Sequence, residues 1–342
     1  MNIPQASFLP NEELQKILNS HNLKLVQEIN QTEYSQVFKV QTQTNQFAAL
    51  KIMQVSIKGS GINVNQLMPL KIEDPYFVKY YDSFFVEPNF ICYLMEYCEG
   101  GSAVNLMQIL KRGLNEREIN AIVLLTLKAL QNIHSKGIIH NDIKAGNILF
   151  TPSGQLKIVD TYVANAVSLV NELDNHSLKS PPTWKAPEYL EENVVKGVSD
   201  VNKMHLGLSE KSDIWSLGIT ILEMFSEKPP NSEVDLSQLQ ILYCTTLKMP
   251  SAPKSSSILL QNFVKKLLVK QPSSRPDVFH ILSDPFIKQI TLDQAMDVIK
   301  DLSNQYIIFM KEKLSDESDE NDKSSDSIEI EEDEESSSSE EN

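Results

Sequence analysis

The stretch IIHNDIKAGNILF, residues 138–150, places Asp142, Lys144 and Asn147 in a short polar segment between two apolar runs. Such a trio is either an ordinary exposed loop or a site, with Asp142 as a base, Lys144 as a charge neutraliser and Asn147 as a metal ligand. Asn141 stands between His140 and Asp142 and brings a neutral amide beside them. Two more polar residues close apolar runs, Lys51 at the end of AALK and Asp160 at the end of LKIVD. A base, two cations and two oxygen ligands are the groups phosphoryl transfer asks for, because that chemistry is mostly positioning and charge neutralisation.

The elements that must hold these residues are readable from periodicity. Residues 23–53 contain three short strands, LKLVQEI, SQVFKV and FAALKIM, separated by NQTEY and QTQTNQ in the manner of an antiparallel meander. A helix is expected around Ile62–Met68 and cannot run far past Pro69. Two further apolar runs follow, FVKYYDSFF and FICYLMEY. The texture then turns helical. Asn115 and Glu118 make a capping box before Ile119, Ile122, Val123, Leu127, Leu130 and Ile133, and Gly137 is the stop. NILF and LKIVD pair across TPSG, and helical periodicity returns at about 213–226, 237–247, 258–269 and 276–282. The order is a small mainly-β unit, then a larger mainly-α unit, joined near MEYCEGG, whose paired glycines suit a flexible connection. Residues 291–314 repeat Leu292, Ala295, Met296, Ile299, Leu302 and Tyr306 on one face behind a Thr291–Gln294 cap. That pattern is expected to pack on the α-rich unit.

The net charge of −15 is unevenly placed. Residues 315–342 hold 14 Asp/Glu and one Lys, a net of −13, which leaves −2 for the other 314 residues. This acidic, Ser-rich tail is expected to be disordered, since it has little apolar surface to offset its ordering entropy. The nearly neutral remainder gives no reason to expect nucleic-acid binding. Cys92, Cys98 and Cys244 are too few and scattered for a disulfide framework or zinc cluster, which suggests a reducing compartment. The N-terminus lacks a basic segment followed by an apolar one, and no apolar run approaches the roughly 20 residues of a membrane span. The expectation is a soluble, cytoplasmic protein without membrane insertion.

In chain order, Lys51, HNDIKAGN, VDTY, Ala186-Pro187-Glu188, SDIWSLG and Arg275 resemble the eukaryotic protein kinases over about residues 23–288. LMEYCEGGS, DIKAGNIL, DIWSLGIT and KPP are similar to the mammalian sterile-twenty-like (germinal-centre) serine/threonine group. The resemblance implies an α+β, bilobal fold, with a five-stranded antiparallel N-lobe at about 23–97 and a larger helical C-lobe at about 98–288. Residues 1–22 would be a leader and 289–314 a C-terminal amphipathic helix. It also implies ATP and Mg²⁺ as ligands and a protein substrate or regulatory protein as partner. Asp142 would orient the substrate hydroxyl and accept its proton, and Lys144 would neutralise the phosphoryl group. Lys51 would hold the α- and β-phosphates, and Asn147 and Asp160 would bind Mg²⁺. Ile29, Val37, Ala49 and Leu149 would enclose the purine, Met95 would close the back of its pocket, and Glu96 and Cys98 would bond it through their backbones.

Several positions depart from the family. In INQTEYSQV, Asn30, Thr32 and Ser35 replace the glycines that let backbone N–H groups close over phosphates, and Glu33 adds a negative charge. Counting from Lys51 and from Pro75, the helix acid that pairs with the strand lysine is replaced by Asn65, and residues 52–72 contain no Asp or Glu at all. Lys51 is therefore expected to turn toward Asp160. Asp160-Thr161-Tyr162 stands for the family's Asp-Phe-Gly, and Asn141 for the Arg that reads a loop phosphate. The following loop offers Ser168 and Ser177, and Pro181 replaces a Thr whose hydroxyl contacts the catalytic pair. The groups that do chemistry are kept and those that position and switch them are largely lost. Two functions remain open, a weak serine/threonine kinase that needs no activation-loop phosphate and a pseudokinase scaffold or allosteric regulator. An insertion at about 192–206 has no evident role.

Overall fold

Phe38 and Val40 are buried on one face of their strand, while Val37 and Lys39 alternate with them on the other. Ala48, Leu50 and Ile52 repeat that alternation one strand on. The computed structural model describes residues 9–32, 35–54, 69, 72–87, 90–160, 182–190, 209–234 and 249–325. In it these runs form an antiparallel sheet of five strands. They are β1 (Lys24–Gln31), β2 (Ser35–Gln41), β3 (Phe47–Gln54), β4 (Tyr80–Val86) and β5 (Phe90–Glu96), in the order β1-β2-β3-β5-β4. Register puts Val37 opposite Lys51 and Ala49 opposite Met95, so one face of the sheet gathers these four candidates.

The opposite face is covered by a segment read from sequence as a leader. Residues Asn11–Ser20 are instead a helix, α1, with Leu14, Ile17 and Leu18 buried on its inner side. Together with Leu9 they pack on Phe38, Val40, Leu50, Ile52 and Cys92. The i, i+3, i+4 spacing of those three residues is a short apolar stripe that a polar-looking composition hides. Burying a residue such as Ile17 contributes about 1.5–3 kcal/mol.

The larger lobe begins at Ser102, which caps α2 (Ala103–Leu110) in a reciprocal box with Asn105. The long helix α3 (Glu116–His134) starts at the expected Asn115–Glu118 box, and Gly137 takes a left-handed φ of +70° just beyond it. A hairpin of β6 (Ile148–Phe150) and β7 (Leu156–Ile158) follows. Further on are α4 (Glu210–Ser226), α5 (Ile258–Leu267), the short α6 (Val278–Ile281) and α7 (Leu292–Ser325). Ile122, Leu130, Trp215, Ile219, Phe263 and Phe286 lie at the centre of the core these helices share.

α7 packs chiefly on α3, with Ala295, Ile299 and Leu302 buried. Its start is fixed by Thr291 and Gln294, each side chain accepting from the other's backbone N–H at 3.2 and 3.0 Å. The helix does not stop at residue 314 but continues to Ser325, into the stretch expected to be disordered. Once a packed turn has nucleated a helix, each added residue gains a hydrogen bond at little extra cost. The helices expected at 62–68 and 237–247, the insertion and residues 326–342 lie outside the described residues. Among those described, no helix is long and apolar enough to cross a membrane.

Candidate functional site

An open cleft of about 340 Å³ lies between the cleft-facing side of the sheet and the helical lobe. Ile29 on β1, Val37 on β2, Ala49 and Lys51 on β3, and Met95 and Glu96 at the end of β5 all line it. Cys98 follows on the connecting segment, and Asn147, Leu149 and Asp160 complete the wall from the helical lobe. Every nucleotide and metal candidate thus faces one space. Ala49, Met95, Cys98 and Val159 form an apolar cluster there, with Val37, Tyr80 and Leu149 packed against it. Burial pushes the Cys98 thiol up to about 12, so it acts as a small apolar group.

Lys51 reaches across the cleft to Asp160, its Nζ donating to Oδ1 at 2.8 Å and to Oδ2 at 2.7 Å. This is the turn expected where the helix acid is missing. Both side chains are mostly covered, at 12% and 7% exposure. Asp160 itself holds φ at +71°, a region that short polar residues tolerate better than others. Its N–H donates to the Tyr80 hydroxyl at 3.1 Å.

The loop between α3 and β6 brings Asp142, Lys144 and Asn147 together, and Asn147 lines the same cleft as that pair. Asp142 Oδ2 accepts from Lys144 Nζ at 2.8 Å and from Asn147 Nδ2 at 2.7 Å. Asn147 Nδ2 also donates to the Asp142 carbonyl at 2.9 Å. These bonds use the amide nitrogen and leave the Asn147 oxygen for another partner. An amide oxygen and the Asp160 carboxylate are hard donors suited to Mg²⁺. No group of three or more His, Cys, Asp or Glu that could hold a metal occurs among the described residues.

The loop is held from below by buried acids. Asp213, at the N-terminal end of α4, accepts from His134 Nε2 at 2.8 Å and from the N–H groups of His140 and Asn141 at 2.9 and 2.7 Å. Burial alone would raise the Asp213 carboxyl, but the hydrogen bond and charge of His134, with His140, outweigh it and leave the group below its ordinary value. His140 is fully buried, which lowers its pKa. It is neutral, with Nε2 donating to the Val159 carbonyl at 3.0 Å and Nδ1 accepting from the Asp142 N–H at 3.2 Å. Glu223, raised by burial, accepts from the Ala145 N–H and from Trp184 Nε1.

Asn141 takes φ at +64°, where asparagine is favoured among non-glycine residues. A cation sits beside it after all. Lys185 Nζ, fully buried, donates to the Asn141 carbonyl at 2.7 Å and to its Oδ1 at 3.0 Å. Burial pulls the Lys185 amine down to about 8, against the favourable charge of Asp142. Lys185 thus ties the segment Pro182–Leu190 to the loop between α3 and β6 from within. Sequence reasoning missed it because a lone lysine in KAPE has no local signal.

At the end of the β1–β2 hairpin the missing glycines have a structural consequence. The Thr32 N–H donates to the Ser35 carbonyl at 2.8 Å, and the Ser35 N–H donates to Thr32 Oγ1 at 3.0 Å. The two hydroxyls meet at 2.8 Å. These N–H groups are occupied internally and are not offered to a phosphate. Glu33, Asn65, Thr161, Tyr162, Ser168, Ser177 and Pro181 lie outside the described residues. The cleft also has lining residues that sequence reasoning did not name as site residues, among them Tyr97, Ser102, Asn105, Gln108 and Tyr306.

A family model for the protein kinase domain matches residues 23–287. The serine/threonine-protein kinase dst4 of Dictyostelium discoideum is 30% identical over 278 residues, which is 80% of this chain and 54% of the relative. The chain therefore spans about half the length of that curated relative.

Proposed function

This chain belongs to the protein kinase family, and from that premise we propose that it binds Mg²⁺-ATP in the cleft and transfers the γ-phosphoryl group to a Ser or Thr hydroxyl of a protein. Transfer is weak and needs no phosphate on the activation loop. The observation that supports this reading best is that all nucleotide and metal candidates line one cleft, and that one of them, Asn147, is hydrogen-bonded to Asp142, which also pairs with Lys144.

Ile29, Val37, Ala49 and Leu149 enclose the purine, Met95 backs it, and the backbones of Glu96 and Cys98 bond its edge. Lys51 exchanges Asp160 for the α- and β-phosphates. Asn147 and Asp160 would hold Mg²⁺, which would supply charge neutralisation. Asp142 orients the acceptor hydroxyl and takes its proton, while Lys144 offsets charge on the group being transferred. The Lys185–Asn141 tie substitutes for a phosphate contact, which supports independence from phosphorylation. The free, buried thiols of Cys92 and Cys98 suit a reducing cytoplasmic setting.

The second reading, a pseudokinase scaffold or allosteric regulator, is favoured by the Thr32–Ser35 staple and the Lys51–Asp160 pair, which both occupy phosphate-binding groups. Transfer of labelled phosphate from Mg²⁺-ATP to a mixed Ser/Thr protein substrate separates the two. Low but measurable turnover, unchanged by prior phosphatase treatment, is expected. A large fall after phosphatase would show that another basic group reads a loop phosphate, and no turnover at all would favour the scaffold.

A further inference from the structure

Tyr306 belongs to α7, beyond the matched kinase domain, yet its side chain lines the nucleotide cleft beside Gly101, Ser102, Asn105 and Gln108. Two glycines admit it. A Cβ at Gly101, which has φ at +71°, would meet the Tyr306 ring at 2.8 Å, and a Cβ at Gly100 would overlap Ser303 Oγ. The paired glycines of MEYCEGG therefore seat α7 against the connecting segment, where sequence suggested only a flexible joint. The placement is firm, because Ala295, Ile299 and Leu302 anchor the same helix in the core one to three turns earlier. Burial raises the Tyr306 phenol, so it stays neutral beside an anionic ligand.

We propose that Tyr306 is a nucleotide-contacting residue: its ring forms the connector-side wall of the cleft and packs on the nucleoside portion of a bound purine nucleotide. This rests on the nucleotide-binding reading above. The geometry points to the nucleoside because Lys51 and Asp160, the groups placed for phosphate and metal, come from β3 and the end of β7. Tyr306 instead stands over Gly101, on the segment that follows Glu96 and Cys98. Since α7 supplies the ring, ligand binding and α7 docking are thermodynamically linked, each strengthening the other. The helix after the kinase domain is then part of the binding site rather than an appendage.

The test is calorimetric titration of the full chain with ATP and with ADP, each with Mg²⁺, on wild type, Tyr306→Ala and Tyr306→Phe. An aromatic wall lost from a nucleoside should weaken both nucleotides about tenfold in the alanine variant. The phenylalanine variant should stay near wild type. In wild type, saturating ADP should also slow amide hydrogen exchange across residues 299–309, a readout that stands even where the alanine variant fails to fold. Equal affinity in Tyr306→Ala, tighter binding there, or a loss confined to ATP overturns the proposal, as does unchanged exchange in that segment. Wild type that binds neither nucleotide overturns the underlying reading instead, a result distinct from all of these.

Discussion

Replacement of Asp142 by Asn is expected to lower phosphate transfer by about 10²–10⁴-fold, the usual contribution of a positioned general base. Asp142 Oδ2 is the point where Lys144 and Asn147 converge, at 2.8 and 2.7 Å. An amide with its oxygen in the Oδ2 place still accepts from both donors but has no basic oxygen to take a proton. The substitution should therefore spare the fold and nucleotide binding, because the bonds that hold Asn147 are kept and the Lys51–Asp160 pair does not involve Asp142. Single-turnover transfer from labelled ATP, with affinity measured on the same preparation, separates the chemical step from binding. A variant as active as wild type would place the base elsewhere and remove Asp142 from the mechanism.

Arg275→Ala should cost about 3–5 kcal/mol of stability, in the range for removing one partner of a buried ion pair. The Arg275 side chain is fully buried, and Glu188 is 12% exposed. Nη1 donates to Glu188 Oε1 at 2.8 Å and Nη2 to Oε2 at 3.0 Å, a bidentate clasp across 87 residues of chain. The guanidinium also donates to the carbonyls of Lys211, Val269 and Lys270 and lies 5.3 Å from the centre of the Trp215 ring. Truncation leaves a carboxylate and several carbonyls short of donors, and each such group costs about 1–3 kcal/mol when buried. Lysine should not rescue the loss, since it lacks the planar fork. Urea denaturation of Arg275→Ala and Arg275→Lys measures this. A loss below about 1 kcal/mol in the alanine variant, the scale of an ordinary surface change, would mean that the clasp does not hold the lobe together.

Much of this architecture was legible because it rests on local patterns. The alternation of Val37 with Phe38 and Ala49 with Leu50 marks strands with two different faces, and the Asn115–Glu118 box marks the start of α3. The chemical residues stood out because their types are dictated by charge and coordination rather than by packing. What sequence did not reveal depends on partners far along the chain. Nothing near Tyr306 announces Gly101, and nothing near Lys185 announces Asn141, although each pair is in contact. α1 was obscured for a different reason, as its apolar stripe is only a few residues long within a polar segment. The sequence shows that the glycines near Thr32 are replaced but not what the new side chains bond. Their effect is that the new hydroxyl of Thr32 consumes a backbone donor.

That the cleft accepts Mg²⁺-ATP is the claim on which the rest depends, and thermal unfolding of the full chain against ATP, with and without Mg²⁺, tests it most directly. Ligand at 100 times its dissociation constant should stabilise the folded state by about 2.7 kcal/mol. The stabilisation should shrink when Mg²⁺ is withheld, because Asn147 and Asp160 then gain no bridge to the phosphates. A melting temperature unmoved by millimolar Mg²⁺-ATP would contradict nucleotide binding and leave the scaffold reading in its place.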